Sequence, residues 1–138
     1  MTQLNNLFGL IGYPIEHSKS PALHNEAFQI LHMNSVYELY PIRPENFNRD
    51  FPDLLSSSVK GLNVTMPYKK SVIPYLDTLD PISLLTQSVN TITKKGVNFH
   101  GTSTDGIGFF RSLFHKKPTI QLDHITILGC GGAARSIL

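Results

Sequence analysis

The chain has 138 residues, 41% of them hydrophobic and 16% charged, which suits one globular domain with its own core. Twelve Lys and Arg against ten Asp and Glu leave a formal charge of +2, and no basic run exceeds two residues, so neither nucleic acid nor a membrane surface is expected as a partner. No stretch approaches the ~18 apolar residues of a membrane span. The single Cys130 can form no internal disulfide, and the opening MTQLNNLFGL lacks the basic and apolar regions of a secretory leader, so a cytoplasmic location is expected.

Short apolar runs alternate with helical patterns. Residues 7–14, LFGLIGYP, read as a first strand closed by Gly12 and Pro14. Ser20 and Pro21 open a helix, with Ser20 as its N-cap and Leu23, Ala27, Ile30 and Leu31 on the expected buried face. A second strand is expected over 35–42 and a short or broken helix over 44–57, interrupted at Pro52. Residues 59–66 read as a third strand, and 69–87 as one or two short helices punctuated by Pro74 and Pro81. Residues 88–104 form a hairpin turning at Lys95-Gly96. A helix over 105–117 follows, with Ile107, Phe110 and Phe114 on one face. The last stretch, 124–138, reads as a strand running into a glycine loop and a helix. The alternation predicts an α/β fold: a mostly parallel sheet flanked by helices, then the first strand and glycine loop of a Rossmann-type unit. The polar HKKPTIQLDH (115–124) resembles a seam between two such units.

Several polar groups sit where strands or helices end. Gly129, Gly131, Gly132 and Ala133 lie in a strand–loop–helix context that lets backbone approach a pyrophosphate, with Ala134 at the third glycine place of the dinucleotide fingerprint. A glycine-rich turn between core elements is the plainer reading of the same residues. Ser18 and Ser20 stand beside a helix start and suit a carboxylate, although Ser20 as a simple cap needs no ligand. Asn90 reads equally as a hairpin residue and Asp105 as a helix cap. The run GLNVTMPYKK (61–70) ends an apolar strand in Asn63, Thr65 and Lys69, with Pro67 stiffening the turn. Asn63 is expected to tie down backbone and Lys70 to be solvated. The six histidines show no ligand spacing, and no metal is expected.

GYPIEHSKSPALHN, GLNVTMPYKK, SVNTI, STDGIG and GCGGAAR occur in the order and spacing of the shikimate dehydrogenases, and the chain resembles the N-terminal part of that family over nearly its whole length. The resemblance implies a substrate-binding domain over 1–104, then over 105–138 a connecting helix and the incomplete beginning of a dinucleotide-binding domain. It implies an oxidoreductase that reversibly reduces 3-dehydroshikimate to shikimate with NADPH, in aromatic amino-acid biosynthesis, with a homodimer as one candidate assembly. By that resemblance Ser18 and Ser20 hold the substrate carboxylate with Thr65 nearby, and Asn90 and Asp105 bond the ring hydroxyls. Lys69 and Asp105 form the catalytic pair, and Gly129, Gly131, Gly132 and Ala133 lie along the cofactor phosphates.

The chemistry asked of Lys69 is simple: reducing a ketone by hydride requires a proton at the forming alkoxide, which an aimed ammonium can deliver. Two departures from the family pattern stand out. Ser103 replaces the usual Asn before Thr-Asp-Gly, so a hydrogen bond there is lost or remade. Gln87 and Ser88 stand where small residues are preferred. A quinate/shikimate dehydrogenase using NAD, and a non-catalytic module binding hydroxylated cyclic acids, fit the same residues.

Overall fold

The computed structural model describes residues 6–137; residues 1–5 and Leu138, the outermost bounds of the two expected units, lie outside the described residues. Its centre is β1 (Asn6–Gly12), whose Leu10 and Ile11 point to opposite faces, as strand geometry requires. Helix α1 (Ser20–Ile30) returns the chain to β2 (Ser35–Pro41), which pairs parallel with β1 on one side. A 3-10 turn (Pro44–Asn46) and helix α2 (Phe47–Ser56) lead to β3 (Val59–Val64), parallel to β1 on its other side. The remaining strands are β4 (Thr78–Leu79), β5 (Thr91–Lys95) and β6 (Asn98–Thr102), giving the order β2-β1-β3-β5-β6-β4. Three of the five pairings are parallel, so the expected mixture of a mostly parallel sheet and one late hairpin is what forms. The hairpin turns at Gly96, whose φ of 64° suits a residue without Cβ.

The main core lies on the α2 face, where Phe47, Phe51 and Leu55 meet Ile11, Val64 and Ile92. Those α2 residues recur every four positions, the spacing of one helical face. That burial carries the helix through Pro52, where a break was expected. The proline removes one backbone bond in the second turn, and the aromatic stack of Phe47 on Phe51 and Tyr68 spans the site. A smaller core of Leu10, Ile15 and Tyr37 fills the α1 face, with Phe8 and Phe28 against it.

The expected buried face of α1 is overturned. Leu23, Ile30 and Leu31 are exposed; the helix packs through Phe28 against Phe8, His24 stacked on Tyr37, and Asn25, which brackets the Tyr37 backbone N–H and C=O. Ser20 is not the cap either, because the helix begins at Ser20 and Lys19 occupies the cap position without a side-chain bond. Residues 69–87 hold one 3-10 turn (Ile73–Tyr75), the unforeseen strand β4, and helix α3 (Pro81–Thr86) capped by Asp80. Helix α4 (Asp105–Lys116) forms as expected, but Ile107 and Phe114 remain exposed. Residues 124–128 do not form the expected strand: among the described residues no strand offers them hydrogen bonds, and an isolated strand has none of its own. They run directly to helix α5 (Gly132–Ile137). Among the described residues no helix is long and apolar enough to cross a membrane.

Candidate active site

In a sheet of order 2-1-3, the chain leaves β1 and β3 in opposite directions, which opens a crevice at their C-terminal ends. Both ends carry the polar residues singled out in the sequence. After β3, Thr65 N–H still donates to Ile11 C=O at 2.9 Å, and Tyr13 N–H to Met66 C=O at 3.1 Å. These bonds anchor the turn that carries Lys69. Tyr68, buried at 3% exposure, plants its ring in the α2 core, and Val89 N–H donates to Lys69 C=O at 2.8 Å. The lysine backbone is thus fixed from both sides.

Its side chain is fixed too. Lys69 Nζ donates to Asp105 Oδ2 at 2.6 Å, with 23% and 27% of the two side chains exposed. Asp105 stands at the start of α4, and Asn90 Nδ2 donates to its second oxygen, Oδ1, at 2.8 Å. Asn90 also donates to Thr104 Oγ1 at 2.9 Å, while Asn90 Oδ1 accepts from Thr104 N–H at 3.1 Å and Thr91 Oγ1 at 2.9 Å. Lys69, Asn90 and Asp105, 36 residues apart at the extremes, form one partly buried cluster.

Ser18 and Ser20 are a second group. Ser18 Oγ accepts from Ser20 N–H at 3.2 Å and donates to Ser20 Oγ at 3.1 Å, so the first serine performs the capping task expected of the second. Two residues that the sequence reading left out of the site join the groups. Tyr37 OH donates to Asn63 Oδ1 at 2.7 Å, and Asn63 Nδ2 donates to Asn90 C=O and to Thr91 Oγ1, each at 3.4 Å. Asn63 therefore ties backbone, as expected, and also takes part in the polar line. Burial pushes the Tyr37 phenol up to about 12, and a hydrogen bond with Ser20 works more weakly the other way. Serine pair, Tyr37, Asn63, Asn90, Asp105 and Lys69 thus make a continuous polar line over the ends of β1 and β3. Tyr37 reads in the sequence only as one more aromatic in a strand; that its hydroxyl reaches across β1 to an Asn on β3 is visible only once strand order is known.

The glycine loop closes the other side. A cavity of about 520 Å³ is lined by Thr65, Lys69, Lys70, Gly131, Gly132 and Ala133, among others, so the loop and the lysine face one space. A Cβ at Gly129 (φ +104°) or Gly131 would meet nothing within 4 Å, so backbone there is open to a ligand. At Gly132 it would lie 2.9 Å from Ser88 Oγ, where the loop backs onto the segment leading into β5. These residues fit a dinucleotide phosphate. The two family departures also find their places. Ser103 Oγ lies 3.4 Å from Ser136 Oγ of α5, a hydrogen bond remade across the seam, and Gln87 ends α3 in the left-handed conformation at φ 51°. Among the described residues no group of three or more His, Cys, Asp or Glu is placed to hold a metal.

Residues 10–92 match the family model described as the shikimate dehydrogenase substrate binding domain. A shikimate dehydrogenase (NADP(+)) of Desulforamulus reducens is 42% identical over 130 residues, covering 94% of this chain and 45% of the relative. One of Oceanobacillus iheyensis is 42% identical over 132 residues, covering 93% and 48%. Among solved structures, a shikimate dehydrogenase in complex with NADP+ superposes with a TM-score of 0.89 at 38% identity, over 96% of this chain and 46% of the other. A shikimate 5-dehydrogenase of Listeria monocytogenes, in complex with shikimate and NAD, gives 0.86 at 37% identity, over 96% and 46%. The chain spans about half the length of these relatives.

Proposed function

The chain belongs to the shikimate dehydrogenase family, and on that premise we propose that it carries the substrate-binding and proton-transfer part of an NADP-dependent enzyme interconverting 3-dehydroshikimate and shikimate in the cytoplasm. Residues 1–104 hold the substrate; residues 105–138 supply the connecting helix and the start of the nucleotide-binding unit. The observation that carries this reading is the Lys69–Asp105–Asn90 cluster, whose Lys69 lines the same cavity as the glycine loop.

Ser18 and Ser20 grip the substrate carboxylate with their hydroxyls, and Thr65 lies in the cavity wall beside them in the binding scheme. Asn90 and Asp105 read the ring hydroxyls, because one offers an amide donor and the other two acceptor oxygens. Gly129, Gly131, Gly132 and Ala133 would hold NADPH along its phosphates, and the bound cofactor would supply the hydride that reduces the carbonyl carbon. Lys69 holds the proton that the carbonyl oxygen needs as negative charge develops there. Asp105 orients the ammonium and takes up part of its charge, so the transfer begins from a fixed geometry. Asn90 keeps Asp105 facing the lysine.

Calorimetric titration of shikimate into the chain tests the substrate half of this reading. Binding that Asp105→Ala and Asn90→Ala each weaken by tenfold or more supports it. No measurable binding by the unaltered chain overturns it.

A further inference from the structure

The cavity between Lys69 and the glycine loop is lined by three cations and no carboxylate: Lys69, Lys70 and Arg135 face it, together with Thr65, Gln87 and uncharged loop residues. Lys69 is neutralised by Asp105. Among the described residues, neither Lys70 nor Arg135 has an ion pair or a side-chain hydrogen bond, and Arg135 Nε is buried with no partner at all. A buried guanidinium donor without an acceptor is costly, and native structures rarely leave one so unless a ligand completes it. Two unpaired cations lining one cavity raise the local potential and favour an anion there. Lys70 comes from the turn after β3 and Arg135 from α5, so the two reach the cavity from the substrate side and from the nucleotide side.

We propose that Lys70 and Arg135 form a two-sided clamp for a phosphate-bearing anion, the pyrophosphate of the dinucleotide. This rests on the dinucleotide reading of the cavity given above and extends it to side chains outside the glycine loop. Arginine suits the role because its planar fork bonds two phosphate oxygens at once, whereas lysine acts as a point charge on a flexible stem. The clamp also gives the adjacent lysines separate tasks: Lys69 faces the reacting oxygen, and Lys70 faces the cofactor. An anion held between β3 and α5 also bridges the two units of the chain.

The test is calorimetric titration of the chain with NADP+, with inorganic pyrophosphate and with shikimate, at low and at raised salt. Variants are Arg135→Gln, Lys70→Gln and the charge-retaining Lys70→Arg. The expected result is weak, salt-sensitive binding of both phosphate probes, lowered tenfold or more by Arg135→Gln and severalfold by Lys70→Gln, and restored by Lys70→Arg. Shikimate affinity reports whether each variant still folds around the substrate cluster. If NADP+ binds with the same affinity and salt dependence in both Gln variants, the clamp is refuted while the dinucleotide reading survives. If pyrophosphate binds through Lys70 and Arg135 but NADP+ does not bind, the clamp stands and the dinucleotide reading fails. If the unaltered chain binds neither probe at tens of millimolar, the clamp is overturned.

Discussion

Lys69 and Lys70 differ by one position and by everything around them. The first is held at 2.6 Å by Asp105, with its backbone bonded to Val89; the second is exposed at the same turn. Fusing the chain to the second half of a relative gives a system in which turnover can be measured. There Lys69→Met is expected to lower kcat by about 10²–10⁴, the range of general acid–base catalysis, with a small change in the KM for shikimate. Lys70→Met is expected to act on the KM for the dinucleotide instead. Equal losses of kcat from the two substitutions would remove the distinction. The serine pair is tested by ligand chemistry. On the proposed reading, Ser18→Ala with Ser20→Ala would remove hydrogen bonds to a charged group, each worth roughly 1.5–3 kcal/mol, so shikimate should bind more than tenfold more weakly. A methyl ester of shikimate should lose much less; matched losses for acid and ester would mean the serines do not read the carboxylate. Tyr37 adds a pH signature. Its folded value, about 12, lies above the ordinary 10.0, so the neutral phenol favours the folded state. That contribution is fully present below pH 10 and is lost as pH rises through 12. Urea midpoints measured across this window should fall, and Tyr37→Phe should fall less steeply. Tyr40, also raised to about 12 by burial and by Glu38, keeps the slope from vanishing.

Among the elements, α1 and the 124–128 segment show what a linear pattern cannot say. Leu23, Ala27 and Ile30 have helical spacing and do lie on a helix, with Leu31 at its C-cap, but the spacing names an apolar stripe without naming the surface that covers it. The side actually packed is made of His24, Asn25 and Phe28, of which only Phe28 looks like core in sequence. Residues 124–128 have strand-like composition, yet a strand exists only through its neighbour. The hairpin and α2 were readable because their partners are local: β5 meets β6 across two residues, and Phe47, Phe51 and Leu55 repeat on one face. Lys69, Asn90 and Asp105 were readable through the family motifs. Tyr37 was not, because its role depends on β2 and β3 flanking β1. The seam between α4 and α5 turns on Gly106. A Cβ there would run into the Ser136 carbonyl oxygen, backbone that cannot yield without moving α5. Gly106→Ala is therefore expected to undock α5 while leaving the sheet intact, seen as faster amide hydrogen exchange in residues 132–137 and unchanged exchange in β1 and β3. Unchanged protection of α5 would show that the helix has room to shift without losing its seat.

At the scale of the molecule, the polar line over β1 and β3 is complete in itself, whereas the nucleotide side is one loop and one six-residue helix. A dinucleotide site is ordinarily built on βαβ units of 30 or more residues, whose adjacent parallel strands fix the phosphate loop and whose later residues grip the adenosine ribose. Here residues 124–128 pair with no described strand, Leu128 is 95% exposed, and an apolar cavity of about 580 Å³ opens between α4 and this segment. The loop is consequently positioned where Gly132 backs onto Ser88, and by the seating of α5 through Ser136 on Ser103, and not by a sheet of its own. Substrate binding and turnover should then separate in the 138-residue chain. Shikimate should bind, because every residue proposed to hold it belongs to the packed part of the fold. Oxidation of shikimate should be absent, because a weakly held nicotinamide does not stay within reach of the reacting carbon for transfer. The exposed Leu23 and Ile30 on α1 with Leu31 at its C-cap, and Ile107 and Phe114 on α4, should meanwhile bind hydrophobic dye and promote association as concentration rises. The decisive measurement is the absorbance of reduced cofactor in the presence of shikimate with NADP+ and with NAD+, for the chain alone and for its fusion to the second half of a relative. Turnover by the fusion alone supports the division. Turnover by the chain alone would mean that the glycine loop, backed by Ser88 and followed by a helix seated on Ser103 and Gly106, is sufficient to hold a reactive cofactor.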